Sequence, residues 1–150
     1  VLVNIIYRID PKHENISRSR ELKQITRWFV VLLAVMVQLV IVLSGIGMEI
    51  NVGSVISIPI ALMFVAAGNY LPKCKQNYTM GIKLPWTLAD EDNWNRTHRL
   101  AGYVWTAGGI LMLIMGFFHL AYLFFLVFMA MVLIPSVYSY LIYRKKLKGI

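Results

Sequence analysis

Four long apolar runs alternate with short polar stretches along this chain. They cover residues 28–48, 52–71, 100–118 and 122–143. Gln38 is the one strongly polar residue in the middle of such a run. Each run is long enough for an α-helix to cross a hydrocarbon core of roughly 30 Å. A soluble domain of 150 residues could not bury four such helices. The pattern therefore predicts an all-α integral membrane bundle with four transmembrane helices.

The polar stretches divide the chain into five predicted parts. Residues 1–27 are expected to hold the inner end of a preceding membrane helix, because residues 1–6 are apolar, followed by a basic cytoplasmic segment. Residues 28–71 and 100–143 are two transmembrane hairpins. Residues 72–99 form a cytoplasmic loop, and residues 144–150 form a basic cytoplasmic tail. This division predicts that the chain is a fragment of a longer protein or a processed form.

The distribution of Lys and Arg predicts the orientation. Of fifteen basic residues, six precede the first run, five lie in the loop and four follow the last run. The short connections near residues 49–51 and 119–121 contain none. Because basic loops stay inside the cell, the loop and the C-terminus are predicted to be cytoplasmic in a bacterial inner membrane. The basic residues that give the net charge of +8 lie beside the apolar runs. We therefore expect membrane lipids as partners and no direct contact with nucleic acid.

Small residues occupy one face of two predicted helices. Gly53, Ser57 and Ala61 are four apart in the second run, and Gly102, Gly109 and Gly116 are seven apart in the third. Helices in lipid associate where small side chains let backbones approach. We therefore expect these two faces to form helix contacts.

The loop between the second and third runs carries most of the polar side chains. Thr87-Leu88-Ala89-Asp90 has the form of a helix N-cap with an acid at the third helical position, so a helix is predicted from Leu88 through His98 into the third run. Asp90, Glu91 and Asp92 would then crowd its positive end, although a cation site is an alternative reading. Residues 73–86 are predicted to be a compact irregular segment packed against the inner helix ends.

The sequence offers little for catalysis. It contains one cysteine, Cys74, and three histidines that are far apart in sequence. No spacing matches a metal site, a phosphate loop or a nucleophile motif. We therefore expect neither an enzyme, nor a metal, nor a cofactor.

An ordered set of residues in the loop resembles the signature of the SdpI/YfhL family of bacterial multipass membrane immunity proteins. The matching residues are Gly68-Asn69-Tyr70-Leu71-Pro72-Lys73, Asn77-Tyr78, Gly81-Ile82, Pro85-Trp86-Thr87, Trp94 and Thr97-His98-Arg99. Two positions depart from the family pattern: Lys83-Leu84 stands where Arg-Thr is frequent, and Gln76 where proline is common. From here on, residues 72–99 are called the signature loop.

The resemblance implies immunity against a secreted peptide toxin, together with signalling in which a cytoplasmic transcriptional repressor is held at the membrane. It implies no catalytic reaction and no cofactor. The binding residues expected from it are Asn69, Lys73, Asn77, Gly81, Lys83, Trp86, Thr87, Trp94 and His98. Two alternatives remain open: a transporter, or a subunit of one, for a lipid or small amphiphile, and a non-catalytic membrane scaffold.

Overall fold

The computed structural model describes residue 11 and residues 20–149, and five helices account for most of them. The helices are α1 (Arg20–Gly45), α2 (Val52–Tyr70), α3 (Pro85–Ala89), α4 (Glu91–Phe117) and α5 (Ala121–Leu147). A 3-10 turn over Leu71–Lys73 follows α2 directly. The described part contains no strand, so the all-α prediction is confirmed. The predicted end of a preceding membrane helix lies outside the described residues.

Four of these helices, α1, α2, α4 and α5, are long and apolar enough to cross a membrane. They correspond to the four predicted runs, although α1, α4 and α5 extend beyond them at the end of the bundle that lies nearer the signature loop. That end carries the signature loop, while the connections α1–α2 and α4–α5 lie at the opposite end. Most apolar side chains of α1 are exposed, as expected for a helix whose solvent is lipid.

Helix α4 is the centre of the bundle because it packs extensively against both α2 and α5, whereas α1 packs mainly against α2. The core between these helices is formed by Ala61, Phe64, Met112 and Met131, which are all buried. The ring of Trp105 meets that of Phe64 edge to face, with the centroids 5.1 Å apart. Its indole N–H also donates a hydrogen bond to the Met131 carbonyl across the α4–α5 contact.

Both small-residue faces take part in helix contacts, as predicted, with the exception of Gly53. A Cβ atom added to Gly109 would lie 2.8 Å from the Val65 amide nitrogen and 3.0 Å from the Ala61 carbonyl oxygen. A Cβ atom at Gly116 would lie 2.6 Å from the Ser57 hydroxyl, and one at Gly102 would lie 2.9 Å from the Gly68 carbonyl. Among the described residues, only Asn51 has an atom within 4 Å of a Cβ added to Gly53, so Gly53 makes no contact with another helix there.

Candidate functional site

The helical start inside the signature loop differs from the sequence prediction. Pro85–Ala89 forms a separate single turn, α3, in which Thr87 is the third residue and its hydroxyl accepts the Leu84 N–H at 2.9 Å. The chain then becomes extended at Asp90 (φ −137°, ψ 113°), and α4 begins at Glu91. The predicted continuous helix from Leu88 is therefore wrong: Asp90 is the N-cap of α4, because its carboxylate accepts the Asp92 N–H at 3.0 Å.

Trp94 and His98 form the centre of the signature loop. They are one helical turn apart on α4, both are fully buried, and their rings stack with centroids 4.0 Å apart. The Ile82 N–H donates to His98 Nε2 at 2.9 Å, so the imidazole proton lies on Nδ1, which donates to the Trp94 carbonyl at 2.8 Å. The Trp94 indole N–H donates to the Cys74 carbonyl at 2.8 Å. Two aromatic side chains therefore hold both halves of the loop against α4.

Gly81 lies directly against this aromatic pair. Its φ of +104° belongs to a region that side chains rarely adopt. A Cβ atom there would also collide with His98 Nε2 and lie 3.0 Å from the Trp94 ring. Glycine is thus required twice, by the backbone conformation and by the close approach to the rings.

Two buried amide side chains fold the irregular part of the loop. The side-chain oxygen of Asn77 accepts hydrogen bonds from the backbone N–H groups of Thr79 and Met80 at 2.9 and 2.6 Å. Its side-chain NH₂ group donates to the Lys75 carbonyl at 2.7 Å. The Gln76 amide donates to the Thr87 and Leu88 carbonyls at 2.8 and 2.9 Å. Gln76, which departs from the family pattern, thus connects the irregular part of the loop to α3.

A third polar cluster connects the loop to α5 through Ser139. The Trp86 indole N–H donates to the Ser139 hydroxyl at 2.7 Å, and that hydroxyl donates to the Asn93 side-chain oxygen at 3.1 Å. The same oxygen accepts the Thr97 hydroxyl at 3.0 Å, and the Asn93 amide donates to the Ser139 carbonyl at 3.1 Å. Sequence reasoning missed Asn93, Ser139 and Gln76 as site residues. A signal was present, because Asn93 and Thr97 are four apart on one helix face and Ser139 interrupts an apolar run.

The predicted site residues thus divide into three groups. Asn77, Thr87, Trp94 and His98 are fully buried, and Gly81 packs against the last two. Trp86 is half-buried and stacks on Tyr143. Asn69, Lys73 and Lys83 are exposed; Lys73 Nζ lies 5.0 Å from the Tyr70 ring centre, and Lys83 Nζ donates to the Thr79 carbonyl at 3.2 Å.

None of the buried side-chain nitrogen and oxygen atoms in the described residues is left without a hydrogen-bond partner. The buried members of the predicted set therefore use their hydrogen-bonding groups within the protein. Any ligand of the signature loop would meet its exposed members or its outer surface. The binding role of all nine residues stays a prediction.

The acids at the start of α4 pair with basic side chains. Lys146 Nζ lies 2.6 Å from Asp90 Oδ2 and 2.9 Å from Asp92 Oδ2, and Arg96 Nε lies 2.9 Å from Asp92 Oδ1. The hydrogen bond from Lys146 lowers the pKa of Asp90 below its ordinary value. The ammonium group of Lys146 therefore lies between the carboxylates of Asp90 and Asp92. The sequence pattern alone leaves a cation site at these acids as an alternative.

A cavity of about 450 Å³ lies at the opposite end of the bundle, between α2, α4 and α5. Its walls are mainly apolar and include Ile56, Ile60, Met115 and Phe124. Polar groups of Asn51, Ser57 and His119 also line it, and the Asn51 amide nitrogen lies 3.2 Å from His119 Nδ1. This end of the molecule therefore offers a largely apolar recess, with no Asp, Glu, Lys or Arg among its lining residues.

Comparison with known proteins gives two results. The model of the SdpI/YfhL protein family matches residues 73–139, which include most of the signature loop, all of α4 and most of α5. The chain is also 31% identical over 121 residues to Immunity protein SdpI of Bacillus subtilis (strain 168). This alignment covers 79% of the chain and 58% of that relative, so the chain spans less than two thirds of the relative's length. No solved structure matches the chain.

Proposed function

Because the chain belongs to the SdpI/YfhL family of multipass membrane proteins, we propose that it is a membrane immunity protein that protects a bacterial cell against a secreted peptide toxin. The observation that carries this proposal is the similarity to Immunity protein SdpI. The alignment covers 121 residues, which is longer than the signature loop. At least part of the membrane helices is therefore included in the match. A non-catalytic role fits the buried histidine, since both nitrogens of His98 are engaged in hydrogen bonds.

The proposed orientation places the signature loop and the basic tail in the cytoplasm. It rests on the basic residues of the loop and the tail, because the two short connections at the other end carry none. In this orientation the apolar recess faces the outside of the cell. A peptide toxin that arrives from outside could reach the recess without crossing the membrane.

In this proposal the toxin binds at the outer recess, and the signature loop contacts a partner in the cytoplasm. An apolar segment of the toxin would contact Ile56, Ile60 and Phe124, while Asn51 and His119 could bind its backbone groups. On the inner side, the exposed residues Asn69, Lys73 and Lys83 would contact a cytoplasmic transcriptional repressor. The buried residues Asn77, Thr87, Trp94 and His98 would maintain the shape of that surface.

A survival assay tests the proposal. The chain, with any native extension, is expressed in toxin-sensitive bacteria that are challenged with the peptide toxin encoded nearest to its gene. Ile56→Trp should abolish protection because the larger ring fills the recess. Ile58→Trp is the matched control, since Ile58 lies two residues away on the same helix, is 38% exposed and does not line the recess.

The inner surface is tested in the same assay with Asn69→Ala and Lys83→Ala, at matched membrane levels. Retained survival with loss of repressor recruitment would assign these residues to signalling. Loss of survival in these variants, with protection intact in Ile56→Trp, would move toxin contact from the recess to the signature loop. Absence of protection by the intact protein against every peptide tested would contradict immunity and favour transport or scaffolding.

A further inference from the structure

Two adjoining cavities lie along α4 at the end that carries the signature loop, one beside α5 and the other beside Pro72 and Lys75. One has a volume of about 570 Å³ and is lined by the basic tail residues Arg144, Lys145, Lys146 and Lys148. The other has a volume of about 880 Å³ and includes Lys75 and Arg99. Both share Asp92, Arg96 and Tyr138, so they form one continuous depression, which we call the basic groove.

The charge of the basic groove is strongly unbalanced. Seven cationic side chains line it, and Asp92 is the acid among its lining residues. Asp92 is already paired with Arg96 and Lys146. Among the side chains that the structure describes, none forms an ion pair with Arg99, Arg144 or Lys145. The groove therefore presents uncompensated positive charge, which is complementary to an anionic ligand.

Apolar side chains line part of the groove beside its cationic side chains. Leu100 and Tyr103 lie where α4 enters its apolar stretch, and Leu141 and Ile142 lie where α5 leaves its own. Tyr103 is 70% exposed and Tyr138 is 37% exposed, as is typical of aromatic side chains at a headgroup layer. The groove thus combines cationic side chains with apolar and aromatic side chains at the ends of two apolar helix stretches.

From this combination we propose that the basic groove binds the headgroup of an anionic phospholipid of the inner leaflet. The guanidinium groups of Arg99 in one cavity and Arg144 in the other would contact the headgroup, because their planar forks suit phosphate oxygens. The acyl chains would follow Leu100 and Tyr103 into the bilayer. A soluble acidic protein would match the cationic side chains but would leave Leu100 and Tyr103 without an apolar partner. The inference uses the orientation proposed above but does not depend on immunity.

The test is lipid binding to the purified full chain, measured by native mass spectrometry in detergent with phosphatidylglycerol and phosphatidylcholine supplied in equal amounts. The parent chain should retain phosphatidylglycerol in preference. The double variant Arg99→Gln/Arg144→Gln should lose about fivefold in this preference for each cation removed. The double variant Lys73→Gln/Lys83→Gln is the matched control, because it changes the net charge equally at exposed residues outside the groove.

Helix content and the thermal midpoint are measured for each variant, and Lys145→Gln/Lys148→Gln provides a second groove variant on the exposed tail. Three results would overturn the proposal: no preference in the parent chain, equal losses in groove and control variants, or displacement of the lipid by a poly-glutamate peptide. The last result would identify the groove as a site for an acidic protein. Since lipid binding is read without a toxin, failure of immunity in the survival assay leaves this test unaffected.

Discussion

Single residues in the signature loop are constrained by close contacts rather than by exposure to a ligand. Gly81 combines a φ of +104° with contact to the His98 and Trp94 rings. Each imidazole nitrogen of His98 has its own backbone partner, the Ile82 N–H or the Trp94 carbonyl. At this scale the family pattern is explained largely by how the loop folds.

Replacing Gly81 with alanine should destabilise the loop more than the same change at a glycine with free space. We expect a cost of at least about 1–3 kcal/mol from the backbone conformation alone, plus the displacement of His98. Gly47→Ala is the control, because Gly47 has a φ of +83° and nothing within 4 Å of the added Cβ. The thermal midpoint in detergent is the measurement, and equal shifts in both variants would exclude a steric role for His98.

Replacing Ser139 with alanine should lower the stability of the protein far more than the same change at Ser136. Ser139→Ala removes the acceptor of the Trp86 indole N–H and one donor to Asn93, so we expect a loss of about 1–3 kcal/mol. Ser136→Ala is the matched control, because that hydroxyl is bonded only one turn back on α5, to the Val132 carbonyl. Chemical denaturation in detergent compares the two variants. Equal stability would show that the Ser139 cluster does not hold the loop to α5.

At the scale of elements, the contact between α2 and α4 organises the bundle. Its glycines bring backbone atoms of the two helices together at Gly68, Gly102 and Gly109. Close backbone approach supplies van der Waals contact that the hydrophobic effect cannot supply between helices in lipid. The break at Asp90 has a similar organising effect, since it separates α3 from α4 and lets Trp86 reach Ser139.

Gly109→Ala should weaken the α2–α4 contact. The added methyl group would meet backbone atoms of Ala61 and Val65, which cannot rotate away, so we expect a cost of about 1–3 kcal/mol. Gly45→Ala at the end of α1 has nothing within 4 Å and should be neutral or slightly stabilising. Thermal denaturation in detergent distinguishes them, and a neutral Gly109→Ala would mean that the two helices can separate at no cost.

At the scale of the whole molecule, the two ends have different chemistry. One end carries the signature loop, the basic groove and the tail, and the other carries the apolar recess. This polarity suits a protein that meets one partner outside the cell and another inside. It also makes orientation the property on which the proposed mechanism depends.

Cysteine labelling in intact cells tests this orientation. Met48→Cys lies in the α1–α2 connection and Lys83→Cys lies in the signature loop, and both positions are exposed. A membrane-impermeant maleimide should label the first in intact cells and the second only after permeabilisation. The parent chain, whose Cys74 is buried, gives the background. The reverse pattern would place the recess inside the cell and would contradict toxin contact there.

The sequence by itself determined the properties that depend on one segment at a time. Helix length and apolarity follow from local composition, and the faces formed by Ser57, Ala61 and the α4 glycines follow from helical periodicity. The tertiary structure decided which polar residues are buried and with what partners. Asn93 meets Ser139, and Asp90 meets Lys146, from different helices more than forty positions apart. Such pairs depend on the relative rotation and depth of two packed helices, which the pattern within either helix does not specify.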